Sequence, residues 1–228
     1  MTRFFTPKTF AFLRDLAANN EREWFKANQD RYEEVVREPA LDFIEEFAEP
    51  LYDISPHFVA DARKVGGSMF RIQRDTRFSK DKTPYKTGVG VQFRHVATKD
   101  DVHAPGFYLH IEPGSCYAGL GLWRPQTADA YKIRQAIADD PDGWRAAAHT
   151  APFADEFSLQ GESLKRPPKG HDPDHPLIED LKRKDFIAGR TLTQTQVTSS
   201  DFLFEYTAMC RTAVPYMRFL CDAVGVGF

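Results

Sequence analysis

The sequence predicts an α+β protein, an antiparallel sheet of about five or six strands covered on one face by N-terminal and C-terminal helices. Three observations lead there. Apolar residues in the first sixty positions recur at helical spacing, those between 68 and 123 recur at every second position, and the spacing returns to helical after Asp201. With 228 residues and a prior of roughly one domain per 150, a single domain over 1–228 is expected. It divides into a helical part at about 1–60, a sheet core at about 65–125, helices and a proline-rich loop at 126–195, and a kinked helix at 200–223.

Taken in order, Thr6 and Pro7 open a helix, the first as a capping oxygen and the second with its φ already helical, and Phe10, Leu13 and Leu16 follow in period. Asn19 and Asn20 end it. Asn20 is placed to cap a second helix, with Glu23 in capping-box position ahead of Trp24 and Phe25. Tyr32, Val35 or Val36, Ala40, Phe43 or Ile44, Phe47 and Leu51 continue the period past Pro39, which must bend or restart the helix.

The strands come next. SMFRIQR over 68–74 sets Phe70 and Ile72 on one face against Arg71 and Gln73, and GVGVQFRH over 88–95 sets Val89, Val91 and Phe93 against Gln92 and Arg94. FYLHIE turns Phe107, Leu109 and Ile111 inward and Tyr108, His110 and Glu112 outward, and Pro113-Gly114 then leads to CYAGLGLW as a hairpin. A one-sided alternation of this kind marks an antiparallel sheet whose second face meets solvent or a ligand. A helix from Thr127 carries Ala130, Ile133 and Ile137 and ends at Asp140-Pro141; a short one is expected around Trp144 and another over Leu177–Lys182. Thr198 and Asp201 stand in capping-box spacing before the last helix, which Pro215 should kink.

Composition removes whole classes. Apolar residues are 42% and charged residues 28%, the ordinary globular mix, so neither a disordered nor a membrane-embedded chain is expected. Nothing approaches 18 consecutive apolar residues, and the N-terminus lacks the pattern of a secretory signal. A net charge of -3 gives no whole-molecule attraction to nucleic acid or to an anionic membrane. Cys116, Cys210 and Cys221 form no CxxC pair and are odd in number, so they read as reduced core residues in a cytoplasmic protein.

The charge is nevertheless uneven. Residues 1–60 carry seven basic against twelve acidic side chains, while residues 63–86 carry eight basic ones against Asp75 and Asp81 alone. Within that basic segment Arg71 falls on a strand, and Arg74, Arg77 and Lys80 enter a loop stiffened by Pro84 and Tyr85, with Lys86 beyond it. Guanidinium forks suit carboxylate or phosphate. An anion site is therefore one reading. The other is a salt-bridged face, in which these cations pair with Asp75, Asp81 and the acidic helices.

The segments RIQRDTRFSKDKTPYKTG, NNEREWFKANQDRYEEVVREP and GFYLHIEPGSCYAGLGLWRP resemble the three signature blocks of the domain of unknown function 2461 family. The match runs through Asn20, Trp24, Phe25, Tyr32, Arg71, Arg74, Asp75, Arg77, Phe78, Lys82, Pro84, Tyr85 and Lys86. The resemblance implies a conserved α+β protein of no assigned activity, and it supplies no catalytic residue.

Other features carry less chemistry. His110 and Glu112 share a strand face with Tyr108, as an acid/base pair or metal ligands would, but two residues do not make a metal site. His171, Asp172, Asp174 and His175 lie in the proline-rich loop 161–176, which offers no rigid scaffold, so no metal is assigned. Gly119 and Gly121 lack a third glycine and a following helix for a phosphate loop and suit a strand approached closely by another backbone or a ligand. Trp24, Trp123 and Trp144 read as core before they read as base-stacking platforms. No nucleophile elbow, metalloprotease motif or P-loop is present, which leaves catalysis and any cofactor undecided.

The leading expectation is recognition, with turnover left open, of a phosphorylated or otherwise anionic small molecule on the open sheet face by Arg71, Arg74, Arg77, Lys80 and Lys86, with Tyr108 and His110 nearby. A nucleic-acid-associated module is the second reading. A protein-interaction protein using the acidic N-terminal helices is the third.

Overall fold

A computed structural model describes residues 3–98, 101 and 103–228. The chain opens with α1 (Pro7–Ala18), whose capping box joins Thr6 and Thr9, followed by α2 (Arg22–Ala27) and α3 (Gln29–Tyr32). Glu33–Arg37 winds as a π-helix before α4 (Glu38–Ile54). Pro39 explains the interruption, because it has no N–H for the carbonyl four residues back. As expected from the sequence, the helix restarts there.

The sheet then assembles from β1 (Phe58–Val59), β2 (Val89–His95), β3 (Gly106–Ile111) and β4 (Cys116–Leu122). Helices α5 (Thr127–Asp139), α6 (Pro141–Ala148) and α7 (Phe153–Glu156) lead to β5 (Ser158–Gln160), then α8 (Ile178–Leu181) and β6 (Phe186–Leu192). The chain closes with α9 (Gln194–Val197), α10 (Phe202–Thr212) and α11 (Val214–Val224). The six strands run in the order β1-β2-β3-β4-β6-β5, every pair antiparallel. Gly121 takes a φ of +109°, and a Cβ there would meet the Phe186 carbonyl at 2.1 Å. The glycine therefore serves close approach of the β6 backbone, as read from the sequence.

Four expectations need correction. Residues 68–74 make only the isolated bridges Met69–Val91 and Gln73–Tyr85. The segment divides its hydrogen bonds between two partners: the Phe70 N–H donates to Gly90 O (2.9 Å), while Ile72 O accepts from Lys86 N and the Arg74 N–H reaches Pro84 O (2.8 Å each). Changing partner at Arg71 rotates the chain, so Ile72 is buried in the core while Phe70 turns to the open face. Pro215 does not kink one helix but stands in the first turn of α11, separated from α10 at Ala213. A proline ring is tolerated there because its missing N–H has no helical partner to lose. The capping box nearby joins Thr193 and Gln196, and Asp201 precedes α10 without capping it. Trp123 is not core: it is 48% exposed, stacked on His103.

Helices cover one face of the sheet with aromatic rings. Phe47 of α4 lies 4.8 Å from the ring of Phe93 on β2 and 5.1 Å from Tyr206 on α10, and Val91, Leu109, Ile111 and Leu120 are buried in the same cluster. Cys116, Cys210 and Cys221 are buried free thiols. Burial pushes Cys221 up to about 12 and raises the other two as well. Thiol titration should accordingly count three groups in denaturant without reductant and almost none in the native protein; a count of one in denaturant would mean a disulfide.

Candidate functional site

On the uncovered face β3 and the residue after it present Tyr108, His110 and Glu112, and glycines at the start of β2 and just before it make room for them. A Cβ at Gly90 would lie 2.6 Å from the Tyr108 hydroxyl and 3.1 Å from the Phe70 ring, and one at Gly88 would lie 2.9 Å from Glu112 Cβ and 3.2 Å from His110 Nε2. The GVGV pattern thus lets two long side chains lie flat across the neighbouring strand.

The three polar groups are joined in a row. Glu112 Oε1 accepts from the Thr87 hydroxyl, and its Oε2 accepts from His110 Nε2 at 3.1 Å. With Nε2 donating, Nδ1 is the acceptor, and the Tyr108 hydroxyl lies 3.3 Å from it. Tyr117 stacks on His110 at 4.9 Å. Burial pushes the Glu112 carboxyl up, but the bonds from Thr87 and His110 more than offset this and hold it below the usual range. Tyr108 is raised, chiefly by burial, and keeps its proton. The row is a carboxylate, an oriented imidazole and a phenol donor, an arrangement able to pass a proton along the strand.

Above this row lies a cleft of about 590 Å³. Its far wall is the segment 81–87, fastened by Asn20: the Asn20 side chain donates to Tyr85 O and accepts from Tyr85 N, both at 3.0 Å, as a second backbone strand would. Phe25 stacks on the Tyr85 ring at 4.1 Å. Asn20 is therefore not the cap of α2, whose N-cap is Glu21.

The cations expected at the site are dispersed. Arg74 and Lys86 line the cleft. Arg74 bonds Asp81 and Thr83 through Nη1. Arg77 forks onto Asp75 at 2.6 to 3.2 Å and is exposed, and Arg71 and Lys80 are exposed too, none of the three lining the cleft. The pairing holds Asp75 down to about 2, first through the Arg77 side chain, and Asp81 down to about 2, first through the Thr83 N–H and then through Arg74. Lys86 differs: its Nζ sits 5.1 Å over the Phe70 ring, and it forms no ion pair among the described residues. Burial, with Arg71 adding repulsion, lowers its pKa.

Of the residues singled out in the sequence, Arg74, Lys86, Tyr108 and His110 come together in the cleft; Asn20 as a clamp, Phe70 as a wall, and Thr87 with Gly88 and Gly90 were not among them. The signal available was GVGV facing FYLHIE. In the proline-rich loop His175 Nδ1 accepts from Leu177 N and Asp172 from Asp174 N, and no group of three or more metal-ligating side chains forms among the described residues. Nor, among them, is any helix long and apolar enough to cross a membrane.

Fold and cleft together define an α+β protein with a polar, glycine-floored face on an antiparallel sheet. The chain belongs to the family described as conserved hypothetical protein (DUF2461), whose model matches residues 8–219. No curated protein and no solved structure matches it.

Proposed function

We propose that the cleft binds a small anionic ligand, a phosphorylated compound being the best chemical fit, with Lys86 as anchor and Arg74, Tyr108 and His110 around it. One observation carries this reading. Lys86 is a partly buried ammonium without a carboxylate partner among the described residues, and removing a cation from water without an anion is costly. Contact with Phe70 offsets only about 1 kcal/mol. Glu112 is occupied by Thr87 and His110, and Asp81 by Arg74 and Thr83, so neither carboxylate neutralises Lys86. The Tyr108 hydroxyl lies beside the bound anion and has one proton, which can turn from His110 Nδ1 to the ligand, while the row behind it runs on to Glu112. Arg71 and Lys80 act at longer range by raising the local anion concentration, while Asp75 balances the charge of Arg77. Three free thiols fit a reducing, cytoplasmic setting.

Calorimetric titration with sulfate tests the reading. Because hydrogen bonds to charged groups contribute about 1.5–3 kcal/mol, Lys86→Met should weaken sulfate binding by about tenfold or more, with the melting temperature unchanged or slightly raised. Equal affinity in both proteins would overturn it. The pH dependence has a definite sign: the protonated ammonium binds, so affinity is retained at neutral pH and falls as pH rises through a Lys86 value below that of an ordinary lysine.

Nucleic-acid association stands as a second reading on a separate observation. Phe78 is 96% exposed in a loop with Arg77, Lys80 and Lys82, a combination suited to stacking on a single strand. It would show a steep loss of affinity with salt, which a small-ligand site would not.

A further inference from the structure

We infer that the ligand carries two anionic groups, the second held in an adjoining pocket by Arg22 and Lys82. This rests on the reading of the Lys86 cleft as an anion site. Behind the wall formed by Arg74 and Tyr85 lies a second cavity of about 340 Å³, lined by Arg22, Arg74, Lys82, Gln73 and Thr76 together with Pro84 and Tyr85. Three of these side chains are cationic and none is a carboxylate. Arg22 forms no ion pair among the described residues, and Lys82 donates to the Thr76 carbonyl at 2.8 Å, a neutral partner that leaves its charge unbalanced.

Arg74 and Tyr85 line both cavities. Arg74 uses Nη1 for Asp81 and Thr83, while a guanidinium has five N–H donors in a flat fork, so it can face an anion on either side of the wall. Tyr85 is fixed through its backbone by Asn20 and through its ring by Phe25, which holds the two cavities at a constant separation. Fixed, adjoining sites that each hold a cation without a carboxylate partner among the described residues, Lys86 in one and Arg22 in the other, reward a ligand that joins two anionic groups, because the second contact forms without a second loss of translational freedom. Like charges would otherwise repel across the wall. The chemical class is a phosphoanhydride or a compound with two phosphates close together, rather than a monophosphate.

Inorganic phosphate, pyrophosphate and tripolyphosphate serve as probes, titrated calorimetrically into the full chain at one ionic strength. At least one linked anion should bind about tenfold or more tighter than phosphate. Arg22→Gln should bring that ratio close to one. Lys165→Gln, which removes the same charge from the exposed loop 161–176, should leave the ratio unchanged. A ratio that survives Arg22→Gln, falls equally in Lys165→Gln, or is absent in the unaltered protein overturns the inference while phosphate binding stands. Failure of phosphate to bind the unaltered protein overturns the Lys86 reading and this inference with it. Arg22 is exposed on the first turn of a short helix, so its substitution does not put folding at risk.

Discussion

Phe47→Ala should lower the unfolding free energy by about 3–5 kcal/mol, read as a shift in the urea midpoint at constant slope. Phe47 is fully buried and touches the rings of Phe43, Phe93 and Tyr206, tying α4 to the sheet and to α10. Truncation removes its apolar area from the core and leaves a hole whose walls are themselves rigid rings, which limits collapse. One factor works the other way. Among the described residues the Tyr206 hydroxyl is buried with no conventional hydrogen-bond partner, only the Cys210 thiol acting on it, and a water admitted to the hole would supply one. The lower end of the range is therefore expected. A loss under about 1 kcal/mol would show that the helical layer does not depend on this contact.

Asn20→Ala should act on both stability and binding. It deletes two hydrogen bonds to the Tyr85 backbone and leaves that N–H and C=O without their partner in a partly buried place, at a cost of about 2–3 kcal/mol if each contributes about 1–1.5. Anion affinity should fall further than stability alone explains, because the wall shared by the two cavities is released. Asn20→Asp keeps the acceptor for the Tyr85 N–H and loses the donor to its carbonyl, so it should recover part of the stability. Normal sulfate affinity in a folded Asn20→Ala protein would remove Asn20 from the site.

Period-two alternation located β2, β3 and β4 because one buried face forces it, and period 3.6 located α1, α4 and α5 for the same reason. Segment 68–74 alternates as well, yet it changes hydrogen-bond partner at Arg71 and is no strand; a pattern of side chains does not record where the backbone bonds go. β1 and β5, two and three residues long, are too short for any period. In β6, Ala188 and Gly189 dilute the alternation. At the site, residue type was enough to find Lys86, Tyr108 and His110. Asn20 was out of reach because its partner is 65 residues away, and its place before a helix has a ready local explanation. The pairing of Arg77 with Asp75 follows a two-residue spacing, whereas Lys86 has no carboxylate partner among the described residues because the turn carries its neighbours elsewhere, which only three dimensions show.

The shortness of the two outer strands has a consequence for how copies of this protein meet. A sheet edge invites another strand only where it offers a run of unpaired peptide groups. Beyond β2 that run is broken, since β1 covers Arg94 and His95 while Ser68 and Phe70 take up the backbone at Gln92 and Gly90. Beyond β6, β5 covers Ile187 to Gly189. What remains on either side is too fragmentary to template a neighbour, so edge-to-edge addition is blunted at both ends of the sheet. The broad polar face can stay open to small molecules without the sheet growing sideways into fibres.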